Sequence, residues 1–185
     1  MRTLAPKTLV RVGKVYDDEI EVAGQKLWVD RSFENKNWHR FIYGEVLSSG
    51  YVPEGKRVYF HYLQTDSNEV EKGVFVMDNE MLFCYVDADG IHMLGEYTLI
   101  KPIPKQQTSS IIVTLDPGFE KDKGILVHQG DNDLGVPNNA VVILNPNCNF
   151  KNEIEGEEYW VVRYDDIIAY EHGAEALGTY GNTNQ

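Results

Sequence analysis

Apolar residues along this chain gather in short runs separated by polar, turn-forming ones. They do not recur at the three-to-four-residue spacing of an amphipathic helix. The runs are "TLVRV", "EVLSS", "RVYFHYL", "GVFVM", "MLFCYV", "YTLIKP", "SIIVTL", "GILVHQ", "AVVILN" and "YWVVRY". They are rich in Val, Ile, Leu, Tyr and Phe, which suit a pleated, half-buried surface, and most are bounded by Gly, Pro, Asn or Asp. Only "YDDIIAY" offers a helical turn. Many short strands at fairly even spacing predict an all-β protein, a sandwich or a barrel. The closing residues "GAEALGTYGNTNQ", Gly173 to Gln185, are small and polar and read as a flexible tail.

Four blocks recur in the same order. "KTLVRVGK" (Lys7 to Lys14) matches "YTLIKPIP" (Tyr97 to Pro104), and "GEVLSSG" (Gly44 to Gly50) matches "GILVHQG" (Gly124 to Gly130). "VPEGKRVYF" (Val52 to Phe60) matches "VPNNAVVIL" (Val136 to Leu144), and "EMLFCYVDADGI" (Glu80 to Ile91) matches "EYWVVRYDDIIA" (Glu158 to Ala169). One match is weak; four in order predict a tandem duplication. The boundary falls near Asp87 to Met93, giving domains over 1–91 and 92–172. The glycines flanking the second block read as tight-turn residues. Between the first two blocks lies a long polar segment, 17–43 in one half and 105–123 in the other. Segments of that length in a small compact domain are usually functional or disordered.

Composition narrows the function classes. At 185 residues, two domains of this size each have a modest core and would lean on each other or on an oligomer. A formal charge of −12, with no cluster of Lys and Arg, argues against nucleic acid, whose phosphates need a cationic surface. No run of roughly 18 apolar residues exists to span a membrane. "MRTLAPKTLV" lacks the apolar stretch of a secretion signal, and Cys84 and Cys148 form no disulfide framework. A reducing, cytoplasmic setting is the expectation.

The ordered set of blocks resembles the GroES-type co-chaperonins. That family reads as a first strand like "R-V-L-V-K", a mobile loop with an "S-G-G-I-V-L" core and a "G-x-V-x-x-x-G" strand. A "V-x-x-G-D-x-V-x-F" entry and a closing "E-Y-x-x-V-x-x-x-D-I-L-A" follow. The second half offers "YTLIKP", "SSIIV", "GILVHQG", "VPNNAVVIL" and "EEYWVVRYDDIIA"; the first offers "TLVRV", "AGQKLWV", "GEVLSSG", "VPEGKRVYF" and "EMLFCYV". The resemblance spans Leu4 to Tyr170. It implies two tandem small Greek-key β-barrels, no enzymatic activity and no cofactor. It also implies a homo-oligomeric ring that caps an ATP-driven chaperonin of the GroEL type around unfolded polypeptide clients. By the same resemblance, Ile111, Ile112 and Val113 would be the partner-binding loop residues, with Leu27, Trp28 and Val29 their counterparts in the first half. Three features depart from the family. The chain is tandem, neither half has room for the hairpin that roofs the dome in bacterial members, and "KLWV" is bulkier than "IIV". The missing roof is similar to phage-encoded versions.

Magnitudes bear on the loop. Burying three aliphatic side chains is worth roughly 5–8 kcal/mol. Ordering the half-dozen residues that carry them costs about 1–2 kcal/mol each, so one loop binds weakly. Several loops displayed together bind well, because each contact raises the effective concentration of the next. The competing reading is that "SIIVTL" is an ordinary buried strand. A structural or assembly β-barrel protein, such as a phage virion component, is the corresponding functional alternative.

Catalytic signatures are sparse. Asp165 and Asp166 are adjacent on a strand-like run, so their side chains diverge, and the family's closing motif makes them a turn with a capping or salt-bridge role. His39, His61, His92, His128 and His172 have no metal-ligand spacing. "DNDLG" lacks the later glutamate of a calcium loop, and no dinucleotide or phosphate-binding glycine motif occurs.

Overall fold

A computed structural model of the chain describes residues 6–13, 19–28, 41–65, 67–105, 118–131, 134–148 and 150–171. The described residues form antiparallel strands and short 3₁₀ turns, so the protein is all-β. It divides into two units, Met1–Gly95 and Glu96–Gln185.

The first unit contains β1 (Lys7–Arg11), β2 (Glu19–Val22), β3 (Gln25–Trp28), β4 (Phe41–Ser49), β5 (Arg57–His61), β6 (Glu69–Glu71), β7 (Val74–Asp78), β8 (Leu82–Asp87) and β9 (Gly90–Met93). Seven of these make one sheet in the order β6-β7-β1-β4-β5-β8-β9, while among the described residues β2 and β3 pair only with each other. The second unit contains β10 (Tyr97–Pro104), β11 (Phe119–Gln129), β12 (Val141–Leu144), β13 (Phe150–Ile154), β14 (Glu157–Arg163) and β15 (Ile167–Glu171). Its sheet runs β13-β14-β10-β11-β12-β15. No closed ring of hydrogen-bonded strands forms among the described residues, because each sheet has two unpaired edges.

Among the described residues the second order repeats the first strand for strand, without a counterpart of β9. Registers repeat too. Thr8 faces Ser49 and Val10 faces Val46, with a bulge between Leu9 and Val10; Thr98 faces Gln129 and Ile100 faces Leu126, with a bulge between Leu99 and Ile100. A second bulge also recurs, between Tyr59 and Phe60 and between Ile143 and Leu144. Turn bonds match. Val46 N–H donates to Lys56 O at 3.0 Å and Gly55 N–H to Val46 O at 2.8 Å; Leu126 N–H donates to Ala140 O at 3.0 Å and Asn139 N–H to Leu126 O at 2.7 Å. Gly55 and Asn139 both sit at positive φ, 80° and 67°, which glycine and asparagine tolerate best.

The cores occupy equivalent positions: Val10, Val46, Val52, Val58, Phe60, Phe75 and Met77 in one unit, Ile100, Leu126, Val136, Val142, Leu144, Trp160 and Val162 in the other. Alternation along each strand sends these residues to one face, where burial of apolar area drives folding.

Two sequence expectations need correction. The fourth block is out of register: Phe75 and Trp160 are the true counterparts, facing Val10 and Ile100, so "VFVMDNEMLF" matches "YWVVRYDDII". The 3₁₀ turns Asn79–Met81 and Tyr164–Asp166 then coincide. Composition aligned two apolar runs, but hydrogen-bond register decides which residues are equivalent. Gly44 and Gly124 are not turn residues either. They lie inside β4 and β11, where a neighbouring strand comes too close for a Cβ.

Candidate functional site

The segment between β10 and β11 leaves and returns at one place. Pro104 pairs with Phe119, and Lys105 N–H donates to Gly118 O at 3.0 Å, with Gly118 at φ 71°. Residues 106–117 therefore span two adjoining stems. Ile111, Ile112 and Val113 belong to this span and lie outside the described residues.

The equivalent slot of the first unit lies between β1 and β4 and carries the β2–β3 hairpin. Here the sequence expectation of a loop around "AGQKLWV" meets regular structure: Leu27 and Trp28 are strand residues of β3, with Leu27 opposite Ile20 and Trp28 opposite Glu19. Val29 lies outside the described residues. The hairpin turns through Ala23 and Gly24 at φ 52° and 78°, the conformation of a tight two-residue turn, and residues Ala23 to Lys26 are exposed. A two-stranded ribbon on its own is only marginally stable, and among the described residues β2 and β3 pair with no further strand. The first unit's slot thus carries chain that joins neither main ladder among the described residues.

Titratable groups on neighbouring strands contact one another in each unit. Asp87 Oδ1 lies 2.9 Å from His92 Nε2 and accepts the Asp89 N–H at 2.9 Å, while Lys56 Nζ is 3.3 Å from Oδ2. The His92 hydrogen bond, then the Asp89 amide and Lys56, lower its carboxyl to about pKa 2. His92 also stacks on Tyr85, ring centroids 4.6 Å apart. This cluster ties β8 to β9, and its signal in the sequence was the "DADG" turn with a histidine two residues beyond. In the second unit, Glu157 accepts the Tyr159 hydroxyl at 2.8 Å, which lowers its carboxyl, with Lys101 adding to the effect. Burial, followed by Glu157, pushes the Tyr159 phenol up to about 12.

Asp165 and Asp166 are part of the 3₁₀ turn Tyr164–Asp166. Asp166 accepts the Asn145 side-chain amide at 3.1 Å, and Asp165 lies 3.9 Å from Arg163. Burial pushes the Cys84 thiol far above its ordinary value; burial and then Asp166 push Cys148 up to about 11. Neither is an activated thiolate. Among the described residues, no three His, Cys, Asp or Glu side chains converge as a metal site, and no helix is long and apolar enough to cross a membrane.

The chain matches no protein family model and no curated protein with which it was compared.

Proposed function

We propose that this protein is a co-chaperonin of the GroES type, which caps an ATP-driven chaperonin ring and closes a chamber around an unfolded polypeptide. The reading rests on one observation above the others. Two units with the same strand order each interrupt the ladder at the same slot, and the second unit's interruption carries Ile111, Ile112 and Val113 between the adjoining stems Lys105 and Gly118. Each unit would correspond to the family's small Greek-key barrel, and copies would assemble into a ring. The segments would dock in apolar grooves of the chaperonin, with Leu27, Trp28 and Val29 as the first unit's contribution. Each contact is weak alone and effective when many are presented together, which suits a cap that must be released in every ATP cycle. The ATP belongs to the chaperonin, and the acidic surface would discourage adhesion of the enclosed chain.

The test is co-elution with a chaperonin ring with and without ATP, using the wild type and Ile112→Asp. We expect nucleotide-dependent association of the wild type and its loss in the variant, with unchanged thermal stability. Absence of association with nucleotide present, or equal association of both proteins, would overturn the proposal and leave a structural β-protein role.

A further inference from the structure

Asp89-Gly90 is this chain's single Asp-Gly step, and it lies at the turn between β8 and β9. Asp87 pairs with Gly90, so Ala88 and Asp89 are the two turn residues, and both are exposed. Gly90 has φ 124°, a conformation that side chains other than glycine's rarely adopt. A Cβ built on it would meet nothing within 4 Å. The turn therefore requires glycine after Asp89, and that glycine's amide nitrogen has no Cβ beside it and open space around it.

The two aspartates of this turn differ in what holds them. Asp87 is fixed by His92, by the Asp89 N–H and by Lys56. Asp89 donates its N–H to Asp87 Oδ1, but its own carboxylate makes no hydrogen bond or ion pair among the described residues. The side chain is therefore at liberty to swing toward the next amide. β9 ends its sheet among the described residues, and an edge hairpin opens at lower free energy than the central strands. Such opening supplies the backbone rotation that brings Cγ of Asp89 to the Gly90 nitrogen.

We propose that Asp89 is a site of spontaneous isomerisation to isoaspartate, and that the change releases β9 from β8. The Gly90 nitrogen bonds to Cγ of Asp89, and one water leaves, made of a carboxyl oxygen, the amide proton and a proton from solvent. The cyclic imide then takes up one water at the former main-chain carbonyl carbon. That carbon's bond to the Gly90 nitrogen breaks, so the chain now runs through Cγ, with no net change in mass. The route adds one backbone atom to a two-residue turn, whose length sets the register of both strands. His92 is then displaced from Asp87, Met93 from Cys84, and the Leu94 N–H from Phe83 O, to which it donates at 2.8 Å. The inference is independent of the co-chaperonin reading.

The test ages the folded full chain in warm, neutral buffer beside Asp89→Glu, whose extra methylene makes the cyclic imide far slower to form. Isoaspartate is read by methyl uptake with an isoaspartyl-specific carboxyl methyltransferase and located by peptide mapping. The isomerised fraction, separated while folded, is then compared with fresh protein by amide hydrogen exchange. We expect isoaspartate at position 89 in the wild type and none there in Asp89→Glu. In the isomerised fraction the Leu94 amide should exchange roughly tenfold or more faster, while the Val10 amide stays protected. Absence of isoaspartate at 89 in the folded chain, when denatured chain forms it under the same conditions, would overturn the proposal. So would an isomerised fraction whose Leu94 protection is unchanged, or one in which Val10 loses protection as well.

Discussion

A Cβ placed on Gly44 would lie 2.4 Å from Cγ1 of Val10 and 2.7 Å from the Arg11 carbonyl oxygen, so β4 passes β1 at a distance that only glycine permits. The second unit repeats the relationship: a Cβ on Gly124 would lie 2.2 Å from Cγ2 of Ile100. The obstruction includes backbone, which cannot rotate away. Overpacking of this kind costs about 1–3 kcal/mol or more. Gly44→Ala and Gly124→Ala should each lower the denaturant midpoint accordingly, while Gly50→Ala, with nothing within 4 Å, should change it little. Equal effects at all three glycines would show that the close approach is not the reason for glycine.

Ser49 closes its turn with one oxygen: Oγ accepts the N–H groups of Tyr51 and Val52, each at 3.0 Å, and contacts Thr8 Oγ1 at 2.7 Å. Gln129 holds the same position above a longer connection over residues 130–135. Its Nε2 donates to Val136 O at 2.8 Å, and its Oε1 accepts from Leu134 N–H at 3.4 Å. The longer side chain reaches across the longer turn. Ser49→Ala strands donors that folding has partly desolvated, at a cost of about 1–3 kcal/mol. Chemical denaturation should show that loss, and Ser49→Gln should fail to restore stability because the short turn has no room for the added length.

Asp87 gives the protein an acid-sensitive contact. Its carboxyl is lowered to about 2, with the His92 hydrogen bond the largest cause. A depressed carboxyl contributes stability above the unfolded value near 4, and that contribution disappears as pH falls toward 2. The stability difference between wild type and Asp87→Asn should therefore be full at pH 5 and shrink progressively below pH 4. A difference that stays constant down to pH 2 would mean that the charge on Asp87 is not what the contact uses.

The two thiols should rank by burial. Cys84 is 0% exposed, and Cys148 donates to Asn145 O at 3.0 Å from a half-buried position. Thiolate is the reactive form, and both groups are pushed away from it. At neutral pH a thiol reagent should modify Cys148 slowly and Cys84 only on unfolding. Rapid labelling of Cys84 in the folded protein would contradict this order.

The strand pairing was legible where composition and position coincide. Thr8-Leu9-Val10-Arg11 and Thr98-Leu99-Ile100-Lys101 are near-identical runs and became the paired centres of the two sheets. Polar strands were invisible to the same reading. β13, "FKNEI", buries the polar Asn152 as well as Ile154, and β6 is Glu-Val-Glu, exposed throughout. Their turns, Glu155-Gly156 and Lys72-Gly73, were the available signal. The Asp87–His92 contact depends on the β8–β9 register, for which the "DADG" turn was the local signal. For Ile111 to Val113 the three apolar residues alone fit a buried strand or a presented loop, and their place between the first two repeated blocks favours the loop; what the fold adds is the pair of adjoining stems.

The β2–β3 hairpin allows the two segments to be separated. It pairs with no other strand among the described residues, so disturbing it should leave the seven-stranded sheet intact. Gly24 has φ 78°, and a β-branched side chain there is strained whatever space surrounds it. Gly24→Val should therefore melt the hairpin with no measurable change in the main thermal transition. If Leu27, Trp28 and Val29 contribute to capping, the variant should bind a chaperonin ring more weakly than wild type, and more strongly than a chain also carrying Ile112→Asp. Ring avidity should amplify the difference, because every chain in the ring loses one of its contacts together. Wild-type affinity in Gly24→Val would assign binding to the second unit's segment alone, and a shifted main transition would show that the hairpin supports the sheet after all.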